Sequence, residues 1–354
     1  MNRVLVAGAL AAAAAIFCGE AAAQTPVSVA WCARTVTSAG APFAIATKLG
    51  WYAAAGIKID LKPLPGSTDC VKLVATHDVD YGLPSIEPVA IIRPQGVKIK
   101  NFYTAYQGNI YGIAVPADSA IKSFDQLKGK RIGVTSMASA GVIIARAMAA
   151  NHGWNPDKDI SIVVVGEAAQ TAALLRSGQI DALSQFDTQY ALTENAGVKL
   201  RMLDKDNEVI ARFPANGFIA LEDTLVSKRA QAAALAQGYA KGTIFALNNP
   251  EAAIRMLWEV FPATRSPGKT ETDALRDDVK TLEARAGKWR LEAGGVTKWG
   301  ENSEKNYADY VAFLVKNGVL KQSVPATDLI TNDLIGDINK FDAAAIAAQA
   351  KGYK

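Results

Sequence analysis

Short β-rich runs alternate with helical stretches between residues 27 and 203, and this alternation restricts the chain to a small group of folds. Strands separated by helices favour parallel sheets with helices packed on their faces, so the sequence predicts an α/β protein. The predicted strands of this region cover residues 27–31, 57–61, 79–83, 97–105, 111–115, 131–135, 160–165, 180–184 and 198–203.

A weak internal duplication divides this region into two similar halves. Leu-Gly-Trp-Tyr at 49–52 corresponds to His-Gly-Trp-Asn at 152–155, and segment 74–80 corresponds to segment 175–181, each about 100 residues further on. Two copies are too few for a solenoid, so the duplication predicts two lobes with a cleft between them. In open parallel sheets, ligands bind beyond the carboxyl ends of the strands, where helix N-termini present free N–H groups.

The pattern changes after residue 203. One more strand is predicted at 218–221, followed by amphipathic helices at 226–248, 250–260, 270–286 and 304–317. We expect this helical C-terminal extension to pack on the first lobe.

The first residues are typical of an export signal. Arg3 precedes an apolar run over residues 4–17, and three alanines at 21–23 provide a cleavage site. A membrane anchor is the alternative, but the run is shorter than the roughly 20 residues of a spanning helix. The sequence therefore predicts a signal peptide at 1–23, a mature chain from Gln24 and a periplasmic location.

Composition and motifs narrow the function further. The net charge is +4 with acidic and basic residues interspersed, which argues against nucleic acid or a membrane surface as partner. The two histidines, His77 and His152, have no nucleophile or metal-ligand neighbour in sequence, and no Gly-rich phosphate loop is present. We therefore expect a monomer that binds a small molecule, without catalysis, metal or cofactor.

Three motifs resemble a known family. Lys48-Leu49-Gly50-Trp51-Tyr52, followed by Gly56-Ile57, resembles its N-terminal motif, segment 123–134 its "LkGKkvav" motif and segment 177–182 its "sGqvDA" motif. The family comprises the periplasmic binding proteins of ABC importers for nitrate, aliphatic sulfonates, taurine and thiamine precursors. A same-fold pyrimidine synthase is a less favoured relative, because its Cys-Cys-Cys-x-Cys motif is absent here.

The resemblance implies a type II periplasmic binding protein fold, with two lobes joined by two crossing strands and closing like a hinge. We place the crossings near 111–115 and 216–221, which gives lobe 1 as 24–115 plus 216–354 and lobe 2 as 116–215. It also implies delivery of the ligand to the membrane subunits of an ABC importer.

Candidate ligand-binding residues follow the strands. They are Trp31, Arg34, Ser38, Ser67, Thr68, Ser85, Glu87 and Tyr106 in the first half, and Ser136, Met137, Ser139, Glu167, Phe186 and Asp187 in the second. Other roles remain open for several of them, since Arg34 can be a solvated loop residue, Glu87 can complement a helix dipole and the aromatic residues can belong to the core.

Two classes of ligand fit these candidates. A sulfonate or carboxylate would bind helix N-termini, hydroxyl groups and Arg34, and this is the first expectation. A neutral or cationic heterocycle, such as a thiamine precursor, would instead pair with Glu87, Glu167 or Asp187 and stack on aromatic rings.

Cys32 and Cys70 follow the first two strands, which are neighbours in this topology. The pair is predicted as a disulfide, with two buried free thiols as the alternative.

Overall fold

The protein is described by a computed structural model that covers residues 24–266 and 268–354. The predicted signal peptide lies outside the described residues. Within residues 24–266 and 268–354, ten strands form two five-stranded sheets, with the orders β2-β1-β3-β10-β4 and β7-β6-β8-β5-β9. The strands are β1 Thr25–Trp31, β2 Ile57–Pro63, β3 Tyr81–Gly82, β4 Ile99–Thr104, β5 Tyr111–Pro116, β6 Arg131–Val134, β7 Ser161–Val164, β8 Ala182–Phe186, β9 Leu200–Met202 and β10 Gly217–Leu221.

Helices cover the faces of both sheets and form most of the chain after β10. They are α1 Ala41–Lys48, α2 Trp51–Ala54, α3 Ser67–Ala75, α4 Glu87–Ile92, α5 Ala140–Asn151, α6 Ala168–Arg176, α7 Asp187–Asn195, α8 Asp204–Ala211, α9 Glu222–Ser227, α10 Arg229–Asn248, α11 Pro250–Val260, α12 Glu271–Trp289, α13 Glu304–Lys316, α14 Ala326–Leu329, α15 Ile335–Ile338 and α16 Ala343–Gly352. Among the described residues, no helix is both long enough and apolar enough to cross a bilayer.

The two sheets have the same plan, as the duplication predicts. In the first sheet β1 lies parallel between β2 and β3, and β10 runs antiparallel to β3 and β4. In the second sheet β6 lies parallel between β7 and β8, and β5 runs antiparallel to β8 and β9. Each sheet with its packed helices is called a lobe below. The α/β fold with two mostly parallel sheets is therefore confirmed.

Strand β5 differs from its expected place. The sequence assigned residues 111–115 to lobe 1, but Tyr111–Pro116 pairs within the second sheet, with Tyr111 opposite Phe186 and Ala114 opposite both Leu183 and Met202. Its Ile113, Ala114 and Val115 are fully buried, and a strand buried on both faces belongs inside a sheet rather than in an exposed connection. The chain passes from the first sheet to the second in the segment between β4 and β5.

The C-terminal helices pack mainly on the first lobe. Helix α10 lies against α1, and Gly242 permits the close approach because a Cβ there would lie 2.2 Å from the Pro42 carbonyl oxygen. Helix α12 is different, since it also packs on α7 of the second lobe. The Asn195 side chain of α7 donates hydrogen bonds to the Asp277 carbonyl and the Thr281 hydroxyl, at 3.0 and 3.2 Å. The tail therefore links the two lobes.

Candidate ligand-binding cleft

A cavity lies between the two lobes, close to the segments that connect them, with an empty volume of about 350 Å³ that includes space open to solvent. Aromatic and aliphatic side chains dominate its wall. The lining residues that the two lobes contribute are Trp31, Cys32, Ala33, Thr37, Ala39, Leu83, Tyr106, Ile110, Tyr111, Phe186, Thr188, Asn216 and Arg285.

Two polar atoms of the wall are buried without a hydrogen-bond partner among the described residues. They are the Thr188 hydroxyl, at the start of α7, and Oδ1 of Asn216, just before β10. The amide nitrogen of Asn216 donates to the Leu83 carbonyl at 2.8 Å, which fixes the oxygen in position. A buried polar atom without a partner costs about 1–3 kcal/mol, so a ligand that satisfies these atoms would recover this energy.

The cation of the cavity is already paired. Arg285 of α12 is 2% exposed, and its Nε and Nη2 donate to the Asp187 carboxylate of α7 at 2.5–3.0 Å. Its guanidinium carbon lies 4.0 Å from the centre of the Tyr106 ring. Burial opposes the charge, but the Asp187 carboxylate outweighs it and holds the pKa of Arg285 above its ordinary value. The pair joins the two lobes and leaves this wall without net charge.

Further contacts hold the lobes together at the cleft rim. Glu167 of the second lobe accepts hydrogen bonds from the Thr35 hydroxyl at 2.7 Å and the Arg34 N–H at 3.3 Å. Burial raises the pKa of the Glu167 carboxyl, although these two hydrogen bonds act to lower it. The Ser136 hydroxyl donates to the Pro65 carbonyl at 2.8 Å, and the Thr68 N–H donates to the Ala138 carbonyl at 3.1 Å. The structure is therefore closed over the cavity.

Closure depends on a glycine. A Cβ on Gly66 would lie 2.4 Å from the Ala138 carbonyl oxygen and 2.6 Å from the Ser139 nitrogen, both of them backbone atoms of the opposite lobe. Such distances are sterically forbidden, so one methyl group at this position would separate the rims while leaving each lobe intact.

We predict that Gly66→Ala shifts the protein toward an open form, seen as a larger radius of gyration in small-angle X-ray scattering. Gly287→Ala is the control, because a Cβ at that position meets nothing within 4 Å. An unchanged radius for Gly66→Ala, with both variants folded, would contradict the role given to this contact.

The structure separates the predicted site residues into three groups. Trp31, Tyr106 and Phe186 line the cavity. A second group does not line the cavity but takes part in contacts between the lobes or in buried hydrogen bonds, and it consists of Ser67, Thr68, Ser85, Glu87, Ser136, Ser139, Glu167 and Asp187. The remaining three lie away from the cavity wall and are Arg34, Ser38 and Met137.

The last group has other local roles. The Ser38 hydroxyl donates to the Asp278 carbonyl at 2.8 Å and so ties the β1–α1 connection to α12. Arg34 is exposed and contributes its backbone N–H, not its guanidinium, to the contact with Glu167. Met137 is 59% exposed on the loop before α5. Ser139 of the second group caps α5 by accepting from the Gly141 N–H at 3.1 Å.

Cys32 and Cys70 form a disulfide, with their Cα atoms 5.8 Å apart. Cys32 lines the cavity, and Cys70 is buried in α3. The bridge therefore ties the loop after β1 to the helix that follows Gly66.

Sequence reasoning missed Arg285, Asn216 and Thr188. The buried face of α12 runs through Ala274, Asp278, Leu282, Arg285 and Trp289, at helical spacing. A charged residue on the apolar stripe of an amphipathic helix was the available signal. Asn216 and Thr188 carry no comparable signal, because single polar residues at strand ends are common.

Among the described residues, no group of three or more acidic, cysteine or histidine side chains is placed to hold a metal ion. His152 instead stacks on Phe124, with ring centres 4.7 Å apart, and its Nδ1 lies 2.9 Å from Asp125.

The sequence defines the family of this chain. Residues 38–253 match the NMT1/THI5-like family, so the chain belongs to that family. It is 21% identical over 328 residues to the putative binding protein YtlA of Bacillus subtilis, covering 90% of this chain and 91% of that protein. It is also 21% identical over 299 residues to the riboflavin-binding protein RibY of Chloroflexus aurantiacus, covering 83% and 82%.

Solved structures show the same fold. The alkanesulfonate-binding protein SsuA from Xanthomonas axonopodis pv. citri, bound to MOPS, superposes with a TM-score of 0.63 at 16% identity, covering 88% of this chain and 99% of that one. The ligand-binding component of an ABC-type import system from Staphylococcus aureus superposes with a TM-score of 0.64 at 15% identity, covering 90% of this chain and 100% of that one. The periplasmic nitrate-binding protein NrtA from Synechocystis PCC 6803 superposes with a TM-score of 0.58 at 16% identity, covering 94% of this chain and 99% of that one. The predicted periplasmic binding protein fold is therefore confirmed.

Proposed function

We propose that the protein is the solute-binding component of an ABC import system, and that it closes over one small, flat ring compound between its lobes. The observation that carries this proposal is the interlobe cavity, whose wall contains the rings of Trp31, Tyr106, Tyr111 and Phe186. Flat ligands gain most from such walls, because aromatic faces and edges pack closely against other rings.

The transport role is supported by family membership and by the names of similar proteins. YtlA and RibY are named as binding proteins, and the superposed structures include the ligand-binding component of an ABC-type import system and an alkanesulfonate-binding protein. We propose that the ligand is released, unchanged, to the membrane subunits of an importer after export of the chain through the signal peptide at 1–23. A monomer suffices, because one chain supplies both walls of the cavity.

The charge of the cavity favours a ring compound without net negative charge. Arg285 is held by Asp187, so an acid group of a ligand would have to displace this carboxylate or use the remaining Nη1 edge. Breaking a buried ion pair by removing one partner costs several kcal/mol. We therefore propose the heterocycle ahead of the organic anion among the two expected ligand classes.

An organic anion is the second candidate, because Arg285 does line the cavity. A sulfonate or carboxylate that forms the same two hydrogen bonds would release Asp187. Asp187→Asn separates the candidates, since it should tighten the binding of an anion and weaken or leave unchanged the binding of a neutral ring.

The direct test is a thermal-shift screen of residues 24–354 against sulfonates, nitrate, carboxylates, aromatic acids, pyrimidines, flavins and amines. A ligand at 100 times its dissociation constant stabilises the folded state by about 2.7 kcal/mol, and we expect a shift with a flat ring compound. Gly66→Ala, which opposes closure, should reduce the shift, whereas Gly287→Ala should not. If no compound shifts the melting temperature and native mass spectrometry finds the protein empty, the proposal is wrong.

A further inference from the structure

A buried polar cluster adjoins the cavity on the first lobe. It consists of Ser85 and Glu87, which follow β3, and of Asn216, which precedes β10. An isolated antiparallel bridge between Ser85 and Asn216 brings the two chain segments together. Asn216 and the neighbouring Tyr111 line the cavity, so the cluster is continuous with its wall.

Each member of this cluster has one buried polar atom without a protein partner among the described residues. The three atoms are Oγ of Ser85, Oε2 of Glu87 and Oδ1 of Asn216, on residues that are 1%, 0% and 7% exposed. The other oxygen of Glu87 accepts a hydrogen bond from the Tyr310 hydroxyl of α13. An ionised carboxylate oxygen and an amide oxygen can only accept hydrogen bonds, whereas the Ser85 hydroxyl can donate one, so the cluster has more acceptors than donors.

The neighbours of Glu87 do not supply a compensating cation. Tyr111, Tyr307 and Tyr310 are the titratable groups on which its charge acts, and burial together with that charge raises the pKa of each phenol. Burial likewise raises the pKa of the Glu87 carboxyl, and the hydroxyls of Ser85 and Tyr310 act against this increase. A donor that reaches this cluster would therefore meet an uncompensated acceptor in a site of low polarity, where a hydrogen bond is strong.

The structure also distinguishes Glu87 from the other two acids expected to pair with a heterocycle. Asp187 is occupied by Arg285, and Glu167 accepts from Thr35 and Arg34 at the rim. Glu87 keeps one buried oxygen without a partner, in the cluster that adjoins the cavity.

We infer that Ser85, Glu87 and Asn216 form a subsite that selects ligands whose ring carries an N–H donor group, either amide, amino or amidinium. This inference rests on the proposed function, because it names the chemistry of the ligand for the same cavity. Ring compounds that offer only acceptors or an anion at this position would leave the oxygens of Glu87 and Asn216 unpaired, so we expect them to bind less tightly.

The test uses three probes of equal shape. Benzamidine, benzamide and benzoate each carry a planar three-atom group on one ring, and they present respectively donors only, one donor with one acceptor, and acceptors only. We expect isothermal titration calorimetry to show that the two donor-bearing probes bind at least about 10-fold more tightly than benzoate, which is the lower end for a hydrogen bond to a charged group.

Glu87→Gln places an amide N–H₂ where the ligand's donor should bind. This variant should weaken the binding of benzamidine by about 10-fold or more, because the donor contact is lost. It should change the affinity for benzoate by less than about 3-fold. Ser85→Ala removes a smaller part of the subsite and should weaken the binding of benzamide by a few-fold. This variant tests the subsite if Glu87→Gln does not fold. Glu251→Gln on the exposed start of α11 removes the same charge far from the cavity and should change nothing.

The outcomes distinguish this inference from the proposed function. Equal binding of the three probes, or preference for benzoate, would overturn the subsite while still showing that the cavity binds ring compounds. Absence of binding by all three probes would overturn the assignment for one-ring donors, and the broad thermal-shift screen would then decide the proposed function alone. A Glu87→Gln variant that keeps its benzamidine affinity would also overturn the subsite.

Discussion

Replacing Arg285 with alanine is expected to lower the free energy of unfolding by about 3–5 kcal/mol, which is the cost of leaving one member of a buried ion pair without its partner. Arg285 is 2% exposed, and the side chain of Asp187 is 13% exposed, so water cannot compensate the remaining carboxylate. The same variant removes the guanidinium that covers the Tyr106 ring. Urea denaturation followed by circular dichroism measures the loss.

The same helix offers a matched control for this variant. Arg276 also belongs to α12 and pairs with Asp273 and Asp277, but its side chain is 67% exposed. Exposed ion pairs contribute about 0–1 kcal/mol, so Arg276→Ala should have little effect. A double-mutant cycle of Arg285→Ala with Asp187→Ala should give a coupling energy well above that of the surface pair. Equal losses for Arg285→Ala and Arg276→Ala would show that the buried pair does not hold the lobes.

The Arg285–Asp187 pair lies across the cleft, between α12 and α7. A binding protein whose lobes separate must break or carry along each contact across the cleft, and α12 contributes several of them to α7. An opening motion therefore either exposes Asp187 and Arg285 together to water or moves α12 with the second lobe. Gly66→Ala disrupts the contact at the opposite rim of the cleft. Combining it with Arg285→Ala tests whether the two contacts oppose the same opening motion.

Much of this fold could be predicted from the sequence, because its strands are rich in β-branched residues and its helices begin and end at recognisable capping residues. All ten predicted strands are present, and the bounds Pro250–Val260 of α11 agree with the prediction. The parallel order of the strands followed from their alternation with helices. Strand β5 was assigned to the wrong lobe because a strand sequence shows burial but not the sheet that buries it.

The cleft was less predictable, since its wall joins residues far apart in the chain. Trp31, Tyr106 and Phe186 follow or adjoin strand ends, which is where ligand positions were sought, and they line the cavity. Arg285 lies in the helical C-terminal extension, and a search for ligand-binding residues after strand ends does not reach it. The pairing of Glu167 with Thr35 also depends on the relative placement of two lobes, and no local pattern encodes that placement.

The disulfide leads to the second large prediction. Cys32 and Cys70 are 38 residues apart, and closing a loop of that length removes chain entropy from the unfolded state worth about 4 kcal/mol. The bridge also joins the loop that carries Trp31 to the helix that begins after Gly66, so it fixes one cavity wall relative to one closing rim. Changing both residues to serine should therefore lower the stability of residues 24–354 by several kcal/mol and weaken ligand binding.

Reduction provides the matched comparison. Residues 24–354 contain two cysteines, so dithiothreitol should lower the urea midpoint of the wild-type protein to that of the double serine variant and leave the variant unchanged. If the reductant shifts neither protein, the bridge does not stabilise the fold, and β1–β2 pairing with the burial of α3 suffices for the first lobe. A loss of stability without a loss of binding would show that the cavity wall is held by the packing of Trp31 against Phe43, whose ring centres lie 6.5 Å apart, and not by the bridge.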